Sequence, residues 1–189
     1  VQYINPMAFI IPTLENALVL PDSLIEVSGP IFPGGFVVPS ITMGGGLTNI
    51  PDSFFASCKT SEVIVREGVE VIGNNAFGQN NIGTKVTLPS TLLQIKNSAF
   101  MNWTKGVELI IPSAEEIGNN AFFYWGNDLG SVSDQGELVG EQSPFILNLP
   151  ENLEIVDNSA FMFSRFKELV FDGIDINTLR QNCFGWCTA

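Results

Sequence analysis

Three cysteines, Cys58, Cys183 and Cys187, and twenty carboxylates are the side chains of this 189-residue chain whose types could do chemistry. The complete absence of histidine decides most of what they can do. Without imidazole there is no Ser-His or Cys-His pair and no His ligand for zinc. A thiol reacts or binds metal only as thiolate, so these cysteines read as small buried hydrophobes. Cys183 and Cys187 are close enough in sequence to leave a bridge between them open, whereas Cys58 is too far along the chain to meet Cys187. Asp128, Asp134, Glu137 and Glu141 gather among Gly and Ser around 126–143, but without the Asp-x-Asp-x-Asp-Gly spacing of a calcium loop. That stretch reads as a solvated loop or hairpin. No spacing sets two carboxylates across a cleft as glycoside hydrolysis requires. Asn102-Trp103-Thr104 is a glycosylation sequon, relevant only in a eukaryotic secretory host. The expectation is a non-enzymatic protein with no metal and no cofactor.

The charge balance narrows the partners. Eight Lys and Arg against twenty Asp and Glu give a formal net charge of −12, which repels phosphate backbones and anionic headgroups. Nucleic acid and membrane surfaces are therefore not expected partners. Met7 to Leu20, the longest apolar stretch, is broken by Pro12, Glu15 and Asn16, well short of the ~20 residues that span a bilayer. With 45% hydrophobic residues, 15 of them Phe, the chain still has material for a packed core.

The elements that position these side chains follow from a repeat. Phe9, Phe32, Phe55, Phe77, Phe100, Phe122, Phe161 and Phe184 are spaced by 22 or 23 residues, except for one gap of 39 that exceeds a repeat by 16. Five residues before each Phe stand Ile4, Val27, Ile50, Ile72, Ile95, Ile117, Val156 and Leu179. Eight before stand Val1, Leu24, Leu47, Val69, Leu92, Ala114, Leu153 and Ile176. Three apolar columns at one period are the mark of a solenoid, in which each turn buries its side chains against its neighbours. Lys85-Val-Thr-Leu-Pro89, Glu108-Leu-Ile-Ile-Pro112 and Ile146-Leu-Asn-Leu-Pro150 are short alternating strands ended by Pro. Asn and Ser before the Ala-Phe pairs supply turns. The expected fold is a β-rich solenoid of about eight repeats of 22–23 residues, with parallel strands, short helical turns and one insertion near 126–143.

Ile-Gly-Asn-Asn-Ala-Phe at 72–77 and 117–122, with Thr-Leu-Pro-Ser at 87–90 and Ile-Ile-Pro-Ser at 110–113, resembles the BspA-type leucine-rich repeat. That family joins a Pro-ended strand to an Ile-Gly segment and Ala-Phe-x-x-Cys in each repeat. Cys58 and Cys187 fall in the family's Cys position, three after Phe, whereas Asn80, Trp103 and Trp125 depart from it. The resemblance covers nearly the whole chain outside the insertion. It implies a secreted or surface-attached protein, typically of host-associated bacteria and some protozoa, that engages extracellular host proteins or other cells.

Two sets of residues are candidates for binding. Period-two alternation sends Val19, Thr42, Ile64, Thr87, Ile110, Asn148 and Val170 outward from the strands. They are flanked by Glu62, Lys85, Glu108 and Glu168 on one side and Asp22, Glu67, Glu151 and Asp172 on the other. An apolar stripe with acidic margins suits an extended protein segment carrying basic residues. The plain alternative is β-propensity, since Val, Ile and Thr suit exposed strands without a ligand. Tyr124, Phe163 and Trp186 lie two after their Phe, where other repeats hold Ser57, Gln79 and Asn102, and read as exposed aromatics able to meet a partner or a sugar face. Trp103 and Trp125 read as core fillers.

The sequence and the resemblance together point to a recognition or adhesion module at the cell surface or outside the cell, binding an extracellular protein or cell-surface ligand, with a structural spacer as the alternative. Val1 already sits in the first apolar column and Cys187-Thr188-Ala189 stops short of another strand. Because solenoid ends need capping, the expectation is a single solenoid domain cut from a longer chain, or ends covered by partners, with self-association through them.

Overall fold

The computed structural model describes residues 3–5, 13–27, 29–32, 34–106, 108–127, 131–132, 138–139, 146–171 and 173–187. Val1, the Ala8-Phe9 repeat, Asp172 and the four insertion carboxylates lie outside them. Each turn gives one strand to each of two parallel sheets. The first stacks β2 (Leu18–Val19), β4 (Ser40–Met43), β6 (Glu62–Val65), β8 (Lys85–Thr87) and β10 (Glu108–Ile110) in that order. The second stacks β5 (Asn49–Ile50), β7 (Val71–Ile72), β9 (Gln94–Ile95), β11 (Glu116–Ile117) and β15 (Ile155–Val156). β1 (Tyr3–Ile4) pairs with β3 (Glu26–Val27), and β14 (Ile146–Asn148) pairs with β16 (Glu168–Val170), both parallel. The inserted segment carries an antiparallel pair, β12 (Ser131–Val132) and β13 (Leu138–Val139).

Alternation explains the first sheet and the β14–β16 pair: Ile41, Val63, Val86 and Leu109 in the former and Leu147 in the latter are buried while their neighbours face outward. Leu88 N–H still donates to Ile110 O at 3.1 Å, but Pro89 beyond it has no N–H and ends the ladder. In the second sheet the aliphatic column from Val27 to Val156 is buried, as is the column from Leu24 to Leu153.

Between the sheets the Phe residues form a spine. Phe32, Phe55, Phe77, Phe100, Phe122, Phe161 and Phe184 stack ring on ring, with successive centroids 5.0–5.7 Å apart and interplanar angles no larger than 22°. The Ala before Phe77, Phe100, Phe122 and Phe161 lets backbones meet: Phe77 N–H donates to Ala99 O at 2.8 Å, and Phe100 N–H to Ala121 O at 2.8 Å.

These Ala-Phe pairs lie in paired β-turns rather than in helix. Two residues of each turn adopt left-handed backbone: Ser53, Asn75, Ser98, Asn120, Ser159 and Asn182, then, four later, Ser57, Gln79, Asn102, Tyr124, Phe163 and Trp186, all with φ between 53° and 65°. Bonds from residue i to i−3, such as Cys58 N–H to Phe55 O at 3.1 Å, close the turns between them. A left-handed residue interrupts any helix, so the chain reverses within five residues. The one helical segment among the described residues is the 3-10 turn Ile176–Thr178.

Glycine is required where the two buried Trp lie. A Cβ on Gly106 would sit 2.3 Å from Trp125 Cε2, and one on Gly83 would sit 2.3 Å from Trp103 Cε3. Both rings are fully buried and cannot swing away. Gly106→Ala is expected to destabilise by roughly 1–3 kcal/mol, the usual range for overpacking, seen as a lower urea midpoint with unchanged slope. An unchanged midpoint would mean that this packing is looser than described.

Candidate functional site

In three repeats the cysteine position holds a donor to the preceding turn. Trp103 Nε1–H donates to Phe77 O at 2.7 Å, Ser164 Oγ–H to Phe122 O at 2.8 Å, and the Cys187 thiol to Phe161 O at 2.8 Å. In each case the side chain three after one spine Phe satisfies the carbonyl of the spine Phe one turn earlier. Asn80, at the same position, instead donates from Nδ2 to Thr60 O at 2.7 Å. Cys, Trp, Ser and Asn share little but a hydrogen-bond donor, which a reading as hydrophobic filler does not capture.

The three cysteines are free thiols, and the bridge between Cys183 and Cys187 is not formed. Burial pushes the Cys58 thiol up to about 12 and the Cys187 thiol up to about 11, and it also raises Cys183. Thiolate is thus suppressed rather than stabilised. Because the folded state holds these protons more tightly than an unfolded thiol near 9, their contribution to stability is full below pH 9 and declines as pH rises toward 12. Native Cys58 is expected to resist alkylation at pH 8 while the urea-unfolded chain labels fully. Base-induced loss of stability above pH 9 should lessen in Cys58→Ser. Rapid labelling of the native chain at Cys58 would contradict this burial.

The outward strand residues share one register. Val19, Thr42, Ile64, Thr87 and Ile110 are successive Cα partners across five strands, and Asn148 pairs with Val170. Val19 and Ile110 are 54% and 43% exposed, Asn148 is exposed, and Thr42, Ile64, Thr87 and Val170 are half-buried. The column is not continuous. Among the described residues no ladder hydrogen bond joins β10 to β14, and a cleft of about 300 Å³ opens there, walled by Ile110, Ile111, Pro112, Ile146 and Asn148. β14 follows the inserted segment, so no short connection sets its start. The second sheet remains closed at the same level, where β11 pairs with β15.

Several margin carboxylates are already engaged by neighbours. Lys85 Nζ lies 3.1 Å from Glu108 and 3.8 Å from Glu62, and these carboxylates raise its pKa. Arg66 lies 3.4 Å from Asp22. Glu67 accepts from Ser90 and Thr91, whose hydrogen bonds hold its carboxyl below the usual range. A hollow of about 630 Å³ lies at this Pro-ended edge, between Asp22, Arg66, Glu67 and Pro89.

The aromatic candidates form a second ladder outside the core. Tyr124 and Phe163 stack at 5.1 Å and Phe163 and Trp186 at 6.4 Å, while Phe123 meets Tyr124 edge-on at 4.5 Å. Tyr124 and Phe163 are partly exposed and Trp186 is 77% exposed. Asn102, one turn earlier, is held by a 3.0 Å bond from its amide to Gln79 Oε1. Trp103 and Trp125 are fully buried and stack at 5.5 Å.

A family model described as the BspA type leucine rich repeat region matches residues 2–127 and 143–189 in six copies. The chain belongs to the BspA-type leucine-rich repeat family. The six copies fall short of the eight repeats expected from Phe spacing, whose first repeat lies outside the described residues. The gap between the two matched segments coincides with the insertion. BspA-type repeats are associated with protein–protein interaction and with cell-surface or secreted bacterial proteins. No curated protein and no solved structure matches this BspA-type chain. No helix among its described residues is long and apolar enough to cross a membrane.

Proposed function

We propose that this chain is a non-enzymatic recognition module at the cell surface or outside the cell, which binds an extended segment of an extracellular protein on the outer face of its first sheet. The observation that carries the proposal is the in-register column Val19, Thr42, Ile64, Thr87 and Ile110, an apolar stripe on a rigid five-stranded face. A parallel sheet usually buries both faces, so this one keeps an apolar stripe where only solvent or a partner can meet it. The spine and the inter-turn hydrogen bonds hold the face rigid, so binding orders little of the module itself. The cleft between β10 and β14 gives one apolar side chain of the partner a place to enter, beside the carboxylate of Glu108. A partner with alternating apolar and basic residues fits both features.

The test is binding of the chain to immobilised extracellular-matrix proteins and to a synthetic alternating Val-Lys peptide, compared with Ile64→Lys/Ile110→Lys/Val170→Lys. Binding that the triple substitution abolishes supports the reading. Absence of any binding, or binding indifferent to the substitutions, returns the chain to a spacer that holds other domains apart.

A further inference from the structure

The outer aromatic ladder differs from the strand face in backbone, charge and shape. Its six positions, Ser57, Gln79, Asn102, Tyr124, Phe163 and Trp186, all have left-handed backbone. Short polar residues tolerate that conformation, whereas bulky aromatics are genuine outliers in it. The first three turns therefore carry residues that suit the backbone, and the last three carry residues that do not. Such strain persists where the side chain does something that a polar residue would not.

Basic residues follow the same turns closely in sequence. Lys59 follows Ser57 by two residues, Lys105 follows Asn102 by three, and Arg165 and Lys167 follow Phe163 by two and four. These are four of the eight cations of the chain. None lies within ion-pair distance of a carboxylate among the described residues, unlike Arg66 and Lys85 on the strand face. The backbone of Arg165 is tied to this edge by a 2.9 Å bond from its N–H to Trp125 O. In a chain of net charge −12, cations outside the ion pairs found among the described residues thus follow, within a few residues, the turns that carry exposed aromatic surface.

We propose that the edge formed by Tyr124, Phe163 and Trp186 with Arg165 and Lys167 binds an acidic saccharide, the rings packing against the C–H faces of the sugar and the cations pairing with its carboxylates. An extended acidic peptide fits less well. Its same-face side chains repeat every ~6.8 Å, whereas the two steps of the ladder measure 5.1 Å and 6.4 Å, both shorter, so the mismatch accumulates from Tyr124 to Trp186. The chain's overall negative charge is screened beyond ~8 Å at physiological ionic strength, leaving the local cations to act at contact range.

The test is calorimetric titration of the chain, in physiological salt, with an oligogalacturonate, its fully methyl-esterified form and a polyglutamate of equal charge. The oligogalacturonate is expected to bind at least about tenfold more tightly than either control, and to lose at least about tenfold in Tyr124→Ser/Phe163→Asn/Trp186→Ser and in Arg165→Gln/Lys167→Gln. The aromatic substitutions install residue types already present in this column, so the melting temperature should hold or rise. Ile64→Lys/Ile110→Lys/Val170→Lys should leave saccharide binding unchanged, which separates this proposal from the strand-face one. No binding, equal binding of polyglutamate or of the neutral ester, or binding indifferent to the ladder substitutions would each overturn it.

Discussion

Phe100→Ala is expected to cost about 3–5 kcal/mol, in the range for a buried aromatic cut to Ala. Phe100 is fully buried, stacks on Phe77 at 5.2 Å and on Phe122 at 5.3 Å, and meets Trp103 edge-on at 5.8 Å. Its loss removes two stacking contacts and one edge contact, and leaves a void that close-packed backbones cannot collapse to fill. Since a domain is stable by only about 5–15 kcal/mol, one substitution consumes a large share. Position matters as much as size. In a solenoid each turn is held only by its neighbours, so a gap at the centre of the spine uncouples the turns on either side. Urea unfolding of Phe100→Ala should broaden or split into two steps. Phe184→Ala, at a half-buried ring stacked on one spine neighbour, Phe161, should shift the midpoint less. Equal effects at the two positions would show that the spine is not the cooperative element.

The second large effect concerns the strand face. Ile64, Ile110 and Val170 point away from the core and are half-buried or exposed, so three lysines there should leave the fold intact and change the melting temperature little. Binding should respond far more. The substitutions put three cations on the stripe that an apolar and basic partner must cover, removing apolar contact and adding like-charge repulsion. A loss of at least about tenfold is expected, equivalent to ~1.4 kcal/mol. Lys85→Glu is the informative companion: it removes the cation bridging Glu62 and Glu108 and makes the margin uniformly acidic. It should strengthen binding of a basic partner and weaken as salt is added.

What could be read from residue types was the part of the fold where burial dictates type. The Phe spine and the aliphatic columns recur because each turn presents the same cavity to the same side chain, so Ile72, Ile95 and Ile117 name their own register. The left-handed column could not be read this way. Ser57, Gln79 and Asn102 share no obvious property with Tyr124, Phe163 and Trp186, because what they share is a backbone angle. The donor position was hidden for a related reason. Trp103, Ser164 and Cys187 differ in size and polarity and agree only in offering a hydrogen to a carbonyl one turn back. Counting residues placed Asn148 in the outward column, and its pairing with Val170 follows that count. Counting could not show that the sheet parts between Ile110 and Asn148, because hydrogen bonding across the insertion depends on how β14 is reached. The cations along the aromatic edge had a visible signal, since Lys59, Lys105 and Arg165 fall at similar offsets in their repeats, but it appears only when charge is aligned along with apolar columns.

The most direct measurement of where a partner lies is hydrogen exchange on the chain with and without a bound extracellular-matrix protein or Val-Lys peptide. Backbone amides of the first sheet already bond between turns, so slowed exchange should concentrate at β10 and β14, which no ladder bond joins among the described residues. Protection there, lost together with binding in Ile64→Lys/Ile110→Lys/Val170→Lys, is the predicted result. Protection confined to the second sheet or to the turns, with the strand face unaffected, would contradict the account.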